Sequence, residues 1–197
     1  MFLIDYAEFA QNKKQVVKSL NNALETLRQI GGKKHEGSFL FNFQNGKTGK
    51  YVKGSSRNVA PLSQLKSKPK VKRSILHNHP TNTSLSYSDL SGRDFIGQTF
   101  ATTPDGSKFR GYPKNKTAYE SFKNKYAPIK QYFEEKLIAQ NPNINRNDVQ
   151  FLTSHEIMRR LRDKGVVHYR AKLSPTNKQL YETHKDYLQN LQVMIKK

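Results

Sequence analysis

A chain of 197 residues is long enough for one ordinary domain with an extension, or for two small units. It contains no cysteine, which excludes a disulfide framework, thiolate metal ligands and a cysteine nucleophile; any metal must be held by nitrogen and oxygen. Lysine and arginine number 35 against 15 acidic residues, and the net charge of +20 sets up a field that draws polyanions. Nucleic acid, an acidic protein or packaging beside a genome fit that field; so does a Lys- and Asn-rich composition inherited from an AT-rich genome. No run approaches the ~20 apolar residues that cross a bilayer. Met1-Phe2-Leu3-Ile4 meets Asp5 and Glu8 at once, unlike a signal peptide or an anchor, so the expected compartment is the cytoplasm with no membrane partner.

The periodicity predicts an amphipathic helix over 5–30, with Phe9, Val16, Leu20, Leu24, Leu27 and Ile30 at three- and four-residue steps. Gly31-Gly32 stops it, because glycine takes the left-handed cap conformation at little cost. Residues 38–43 alternate as a strand with Phe39, Phe41 and Phe43 on one face, and Asn45-Gly46 turns the chain towards Tyr51-Val52. A polar loop with a short turn near Pro61-Leu62 leads to the basic residues Lys66, Lys68, Lys70, Lys72 and Arg73, then to the apolar strand at Ser74-Ile75-Leu76. Ser86 to about residue 97 reads as a second helix. Residues 99–103 are a strand, 104–107 a turn and 108–112 the return strand. Beyond Pro113 the texture is helical: 116–140 with a break expected at Pro128, a linker at 141–145, and a helix capped by Ser154 through Leu161. A short strand at 166–169 and a last helix opening at Ser174-Pro175 complete the chain. The expected division is 1–112 and 113–197.

The chemistry concentrates in Ile75-Leu76-His77-Asn78-His79-Pro80, with Asp89 ten residues after His79. Histidines two apart on a strand share a face. Pro80 ends the strand, having no N–H for a ladder. Ser86 is placed to cap a helix whose first turn carries Asp89. Strand, loop and helix start thus bring two imidazoles and a carboxylate together, the ligand set of a catalytic zinc site with one open position. Asn78 points to the opposite face and reads as structural.

His77-Asn78-His79-Pro80 with Ser86-x-x-Asp89 resembles the zinc motif of the JAB/MPN (JAMM) metallopeptidases, and Glu36 stands where that family carries an upstream glutamate. The HNHP form is closest to prokaryotic and phage-encoded members and to the RadC-like branch. Six residues separate His79 from Ser86 where the commonest family form has seven, so this loop is one shorter. The resemblance covers roughly residues 1–112. It implies an α/β fold, JAB/MPN-like (cytidine-deaminase-like), with a mixed sheet flanked by helices, to which the mainly helical, basic C-terminal region is added. It also implies one Zn2+ held by His77, His79 and Asp89, and a protein or peptide substrate. Glu36 is then the general base for a water whose pKa falls to about 7. Ser86 would donate to the oxyanion, a role worth on the order of 3 kcal/mol in comparable donors.

The alternatives are a nucleic-acid-associated protein of the RadC-like kind and a virion or assembly protein of phage origin, found with the virion. The basic residues Lys66 to Arg73 read either as a solvated loop or as a salt-dependent contact to phosphates. Three other signals lack partners. His155-Glu156-Ile157-Met158-Arg159 has no second zincin histidine and reads as a plain helix start; Gly46-Lys47-Thr48 lacks the upstream glycine of a P-loop; His35, His168 and His184 have no companions at metal spacing.

Overall fold

The apolar stripe of Val16, Leu20, Ala23, Leu24 and Leu27 makes an amphipathic helix, α1 (Lys13–Gly31), and buries itself on a sheet. The computed structural model describes residues 13–54, 73–90 and 96–192; the start of the expected helix and the short turn at 61–62 lie outside them. Gly32, at φ +51°, ends α1 as expected, its N–H bonding to the Arg28 carbonyl at 3.1 Å.

Among the described residues seven strands form one mixed sheet: β1 (Gly37–Asn42), β2 (Lys47–Thr48), β3 (Val52–Lys53), β4 (Arg73–Asn78), β5 (Ile96–Thr102), β6 (Lys108–Pro113) and β7 (Val167–Lys172). The order is β2-β1-β4-β5-β6-β7, with β3 also paired to β1. Every pairing is antiparallel except β4 with β5, which run parallel. A short helix, α2 (Tyr87–Leu90), lies on the crossover between that parallel pair.

Alternation divides the sheet into two faces. Phe41, Phe43, Leu76 and Phe100 pack under α1, with Phe39 partly buried beside them. On the other face Leu85, Leu90, Ala101 and Phe109 join Val149, Phe151, Leu152, Leu161 and Tyr169 in a second, larger core. Truncating a fully buried leucine in either core to alanine costs about 2–5 kcal/mol.

The C-terminal region adds α3 (Lys116–Ser121), α4 (Lys123–Gln140), α5 (Arg146–Asp163) and α6 (Pro175–Asn190). It is not set apart from what precedes it. β7 pairs with β6 from Lys108–Lys172 to Pro113–Val167, and the larger core takes residues from both sides of position 112.

Several local expectations are corrected. Of the helix expected from Ser86 to about 97, the described residues show Tyr87–Leu90 as helical, while 96 and 97 belong to β5, where a run of Ile, Thr and Phe pairs with β4. The break in 116–140 falls at Phe122, which is buried and turns on a bond from its N–H to the Tyr119 carbonyl. Pro128 stays inside α4 on the exposed side, where water can take the carbonyl its ring leaves unpaired. Ser154 caps nothing: α5 starts at Arg146 on the Asn145 side chain, and the Ser154 hydroxyl donates back to Phe151 O at 3.1 Å. His155-Glu156 is therefore no helix start but the buried middle of α5. The last helix opens as expected, with Ser174 Oγ accepting from Asn177 N–H and Pro175 in the first turn.

Glu156 is fully buried, yet Arg159 and Arg160 each reach it at 2.8 Å and Tyr181 donates to it at 3.0 Å. Arg160 also donates to the carbonyls of Leu188 (2.6 Å) and Leu191 (3.0 Å), satisfying the end of α6 and tying it to α5. Beside this pair, burial pushes the His155 imidazole down to about 4 from 6.5. A depressed value means that the stability from this group is present above pH 6.5 and is lost as pH falls towards 4. Denaturant melts at stepped pH are expected to show a loss of about 3 kcal/mol over that window. His155→Phe is expected to flatten the part of the slope that lies above pH 5.

Candidate metal centre

His77 lies next to the carboxyl end of β4 and His79 just beyond it, so both imidazoles project from the face opposite α1. The His79 N–H donates to Thr102 O at 2.8 Å, carrying the β4–β5 pairing past the formal strand end. This end of a parallel pair is where α/β sheets present a crevice. Asp89 reaches the same point from α2. That helix and the residue before its cap sit close to the sheet over a glycine at position 111 on β6; a Cβ there would stand 3.2 Å from Leu90 Cδ2 on α2 and 2.9 Å from Leu85 Cδ1. Thr99 Oγ1 donates to the Asp89 carbonyl at 2.9 Å. Tyr119 stacks on Tyr87 at 4.6 Å and 11°, its hydroxyl donating to the Tyr87 carbonyl. Asp89 is thereby held from the sheet and from α3.

His77 Nε2 and His79 Nε2 are 2.7 Å apart; Asp89 Oδ1 lies 3.4 Å from the first and Oδ2 3.6 Å from the second. A tetrahedral ion about 2.0–2.1 Å from each donor spaces its donors about 3.3–3.4 Å apart. Each imidazole has one Asp89 oxygen near that spacing, a different one for each, and the two imidazoles must part by about 0.6 Å to admit the ion. Among the described residues these three are the grouping whose donors converge, and they can hold a metal ion. The histidine side chains are only 4% and 6% exposed, but Asp89 is 19% exposed, so the site opens on the Asp89 side.

The donors are oriented from behind. His79 Nδ1 lies 2.9 Å from the Thr83 carbonyl, an acceptor only, so Nδ1 carries a hydrogen and Nε2 is the nitrogen turned to the site. Asp89 Oδ2 accepts from the Ser86 N–H at 2.6 Å and from the Ser86 hydroxyl at 2.8 Å. Burial opposes charge on both groups. For His79 the Asp89 carboxylate outweighs it and the imidazole is pushed up to about 9. For Asp89 the two histidines outweigh it and the carboxyl lies well below its usual range.

Glu36 precedes β1. Ser38 pairs with His77 in antiparallel register, and the same register carried two residues on sets Glu36 beside His79. Burial raises the Glu36 carboxyl to about 7, His79 pulling it down and Asp89 pushing it up. Asn78 occupies the reverse face, as expected. Its Oδ1 accepts from Gly37 N–H at 2.7 Å, and its Nδ2 donates to His35 O at 2.9 Å. A side chain at Gly31 would collide with that amide, so the end of α1 comes this close only as glycine.

Thr83, Ser84, Tyr119 and Ser38 are participants that sequence reasoning did not single out. Thr83 acts through its backbone, and Ser84 and Tyr119 act through partners distant in sequence. Ser38 is fully buried opposite His77, its hydroxyl without a hydrogen-bond partner among the described residues. Lys66, Lys68, Lys70 and Lys72 lie outside the described residues, and Arg73 enters only as the first backbone position of β4. No helix among the described residues is long and apolar enough to cross a membrane.

Set against protein-family models, curated proteins and solved structures, the chain finds no match. Fold and site together define a mixed α/β protein in which a buried His, His, Asp group at the end of a parallel strand pair can hold a metal ion.

Elemental analysis of the purified protein is expected to find one divalent ion per chain, lost in both His79→Ala and Asp89→Ala. A metal must displace the proton that His79 retains up to about pH 9, so binding weakens as pH falls. Titrations between pH 6 and 8 are expected to show affinity rising about tenfold per pH unit, the slope for one proton released.

Proposed function

We propose that the protein is a zinc-dependent hydrolase of amide bonds, a metallopeptidase or isopeptidase of the JAB/MPN (JAMM) type. The observation that carries this reading is the convergence of His77, His79 and Asp89 with Glu36 in register beside them. The order of helix, hairpin, histidine strand, short helix and strand pair on a mixed sheet supports the architecture.

Zinc suits a nitrogen and oxygen donor set with an open position, and when bound supplies a Lewis acid and a water whose pKa falls to about 7. Glu36 moves the proton. Its carboxyl, at about 7, takes a proton from the attacking water and delivers it to the leaving nitrogen as the C–N bond breaks. The products are a carboxylic acid and an amine, and Glu36 returns to its starting form. Ser86 orients Asp89 through both its bonds. Donation to a developing oxyanion requires its hydroxyl to rotate off Asp89, while its N–H keeps the carboxylate in place. The scissile carbonyl approaches on the Asp89 side, where the site is open.

Glu36→Gln tests the reading. The variant is expected to keep its zinc while hydrolysis of a peptide and isopeptide panel falls about 10²- to 10⁴-fold. In the wild type, activity is expected to rise with pH along an acid limb at or below about 7, since a bound cation lowers a neighbouring carboxyl. Zinc-loaded protein whose turnover is the same in Glu36→Gln would exclude this role.

The net charge of +20 favours a second reading, a nucleic-acid-associated protein of the RadC-like kind. DNA binding that weakens steeply with salt and survives Asp89→Ala would support it over the hydrolase.

A further inference from the structure

The loop between His79 and α2 contains no regular structure, yet its Thr83 carbonyl sets which nitrogen of His79 faces the metal site. What holds that carbonyl in place comes from the far end of the chain. Ser84, the next residue, is 1% exposed. Its N–H donates to Ser154 Oγ on α5 at 3.2 Å, and its hydroxyl lies 2.6 Å from Tyr169 Oη on β7. Tyr169 Oη is in turn 2.6 Å from Nδ1 of His155, the residue after Ser154 on α5. Tyr169 is itself 2% exposed, and the His155 ring is wedged flat on Phe151 and edge-on to Tyr181. A buried phenol seated on an imidazole wedged in this way offers the Ser84 hydroxyl a fixed partner, and the loop must follow it.

We propose that Tyr169, seated on His155, is a positioning residue for the metal centre: it pins Ser84 so that the Thr83 carbonyl holds the His79 Nδ1–H and keeps the ring turned with Nε2 facing Asp89. The role rests on the reading that His77, His79 and Asp89 bind zinc. It assigns the C-terminal region a part in the site that none of the ligand residues reveals. The competing account is that Tyr169 is a buried tyrosine that needs a partner for its hydroxyl and found one. The two differ in what the hydroxyl controls, which is metal affinity in the first and folding stability alone in the second.

Tyr169→Phe keeps the ring and removes the hydroxyl. Tyr181→Phe is the matched control: it also removes a tyrosine hydroxyl bound to α5, the one that donates to Glu156, while the ring that rests edge-on against His155 is kept. Zinc affinity is measured on the full chain by competition with a chromophoric chelator, and the His79 Nδ1–H is followed by NMR with 15N-labelled histidine. Tyr169→Phe is expected to weaken zinc binding about 10- to 100-fold, the usual effect of losing a group that orients a ligand. The His79 Nδ1–H should exchange faster with solvent, while Tyr181→Phe matches the wild type in both measurements. Wild-type affinity and an unchanged His79 signal in Tyr169→Phe overturn the proposal, as does an equal loss in both variants. If Tyr169→Phe does not fold, Ser84→Ala removes the same bond from the loop side; the same weakening is expected of it, and wild-type affinity in it overturns the proposal equally. A wild type that takes up no zinc overturns the metal reading itself, and the role of Tyr169 with it.

Discussion

The side-chain amide of Asn78 is the junction on which the site depends. It accepts from the Gly37 N–H and donates to the His35 carbonyl, so the residues on either side of Glu36 are both fastened to the histidine strand. It does this from the face opposite His77 and His79, where α1 closes over it with a glycine. An amide is suited to the task, because one group offers both donor and acceptor to a buried backbone that would otherwise lack partners. An aspartate could accept but not donate, and an apolar residue could do neither. The carboxylate beside the His77, His79 and Asp89 group is therefore positioned by a residue that never faces it.

The rest of the site is built by the same indirection. Imidazoles and carboxylates bring few contacts of their own, and holding them a few ångströms apart requires neighbours that are themselves fixed. The parallel pairing of β4 with β5 sets where the histidines end. The glycine at 111 lets α2 settle on the sheet, and Tyr119 stacks on it from α3. The larger core runs without interruption from Leu85 to Leu188, so the helices that look like an appendix in the sequence complete the face on which the site stands.

Much of this is legible from local pattern. The shared face of His77 and His79 follows from period two, the phenylalanines of β1 alternate as strand residues do, and Gly32 and Ser174-Pro175 mark helix ends by their own conformational preferences. Each of these signals is carried by residues within a few positions of one another. The failures have the opposite character. Ser154 has the chemistry of a cap, but Asn145 stands nine residues earlier and the apolar positions between them suit a longer helix. Residues 96 and 97 resemble the end of a helix because their strand pairing, with residues near 73, cannot be seen locally. The Thr83 carbonyl leaves no trace in the sequence, since every residue has one. Tyr169 is visible there only as one more strand residue, because its partners lie on a loop and a helix that only the folded chain brings together.

The span of the Ser84–Tyr169 bond, 85 residues, has a meaning for time as well as for space. A chain made at about 5–20 residues per second exposes Ser84 roughly 4 to 17 seconds before Tyr169 follows it. During that interval the histidine strand and the Asp89 helix are already outside the ribosome, but the brace behind their loop has not been made. Contacts of such long range also form late in folding, after the local helices. Synthesis and folding thus impose the same order, in which donors come first and their alignment last.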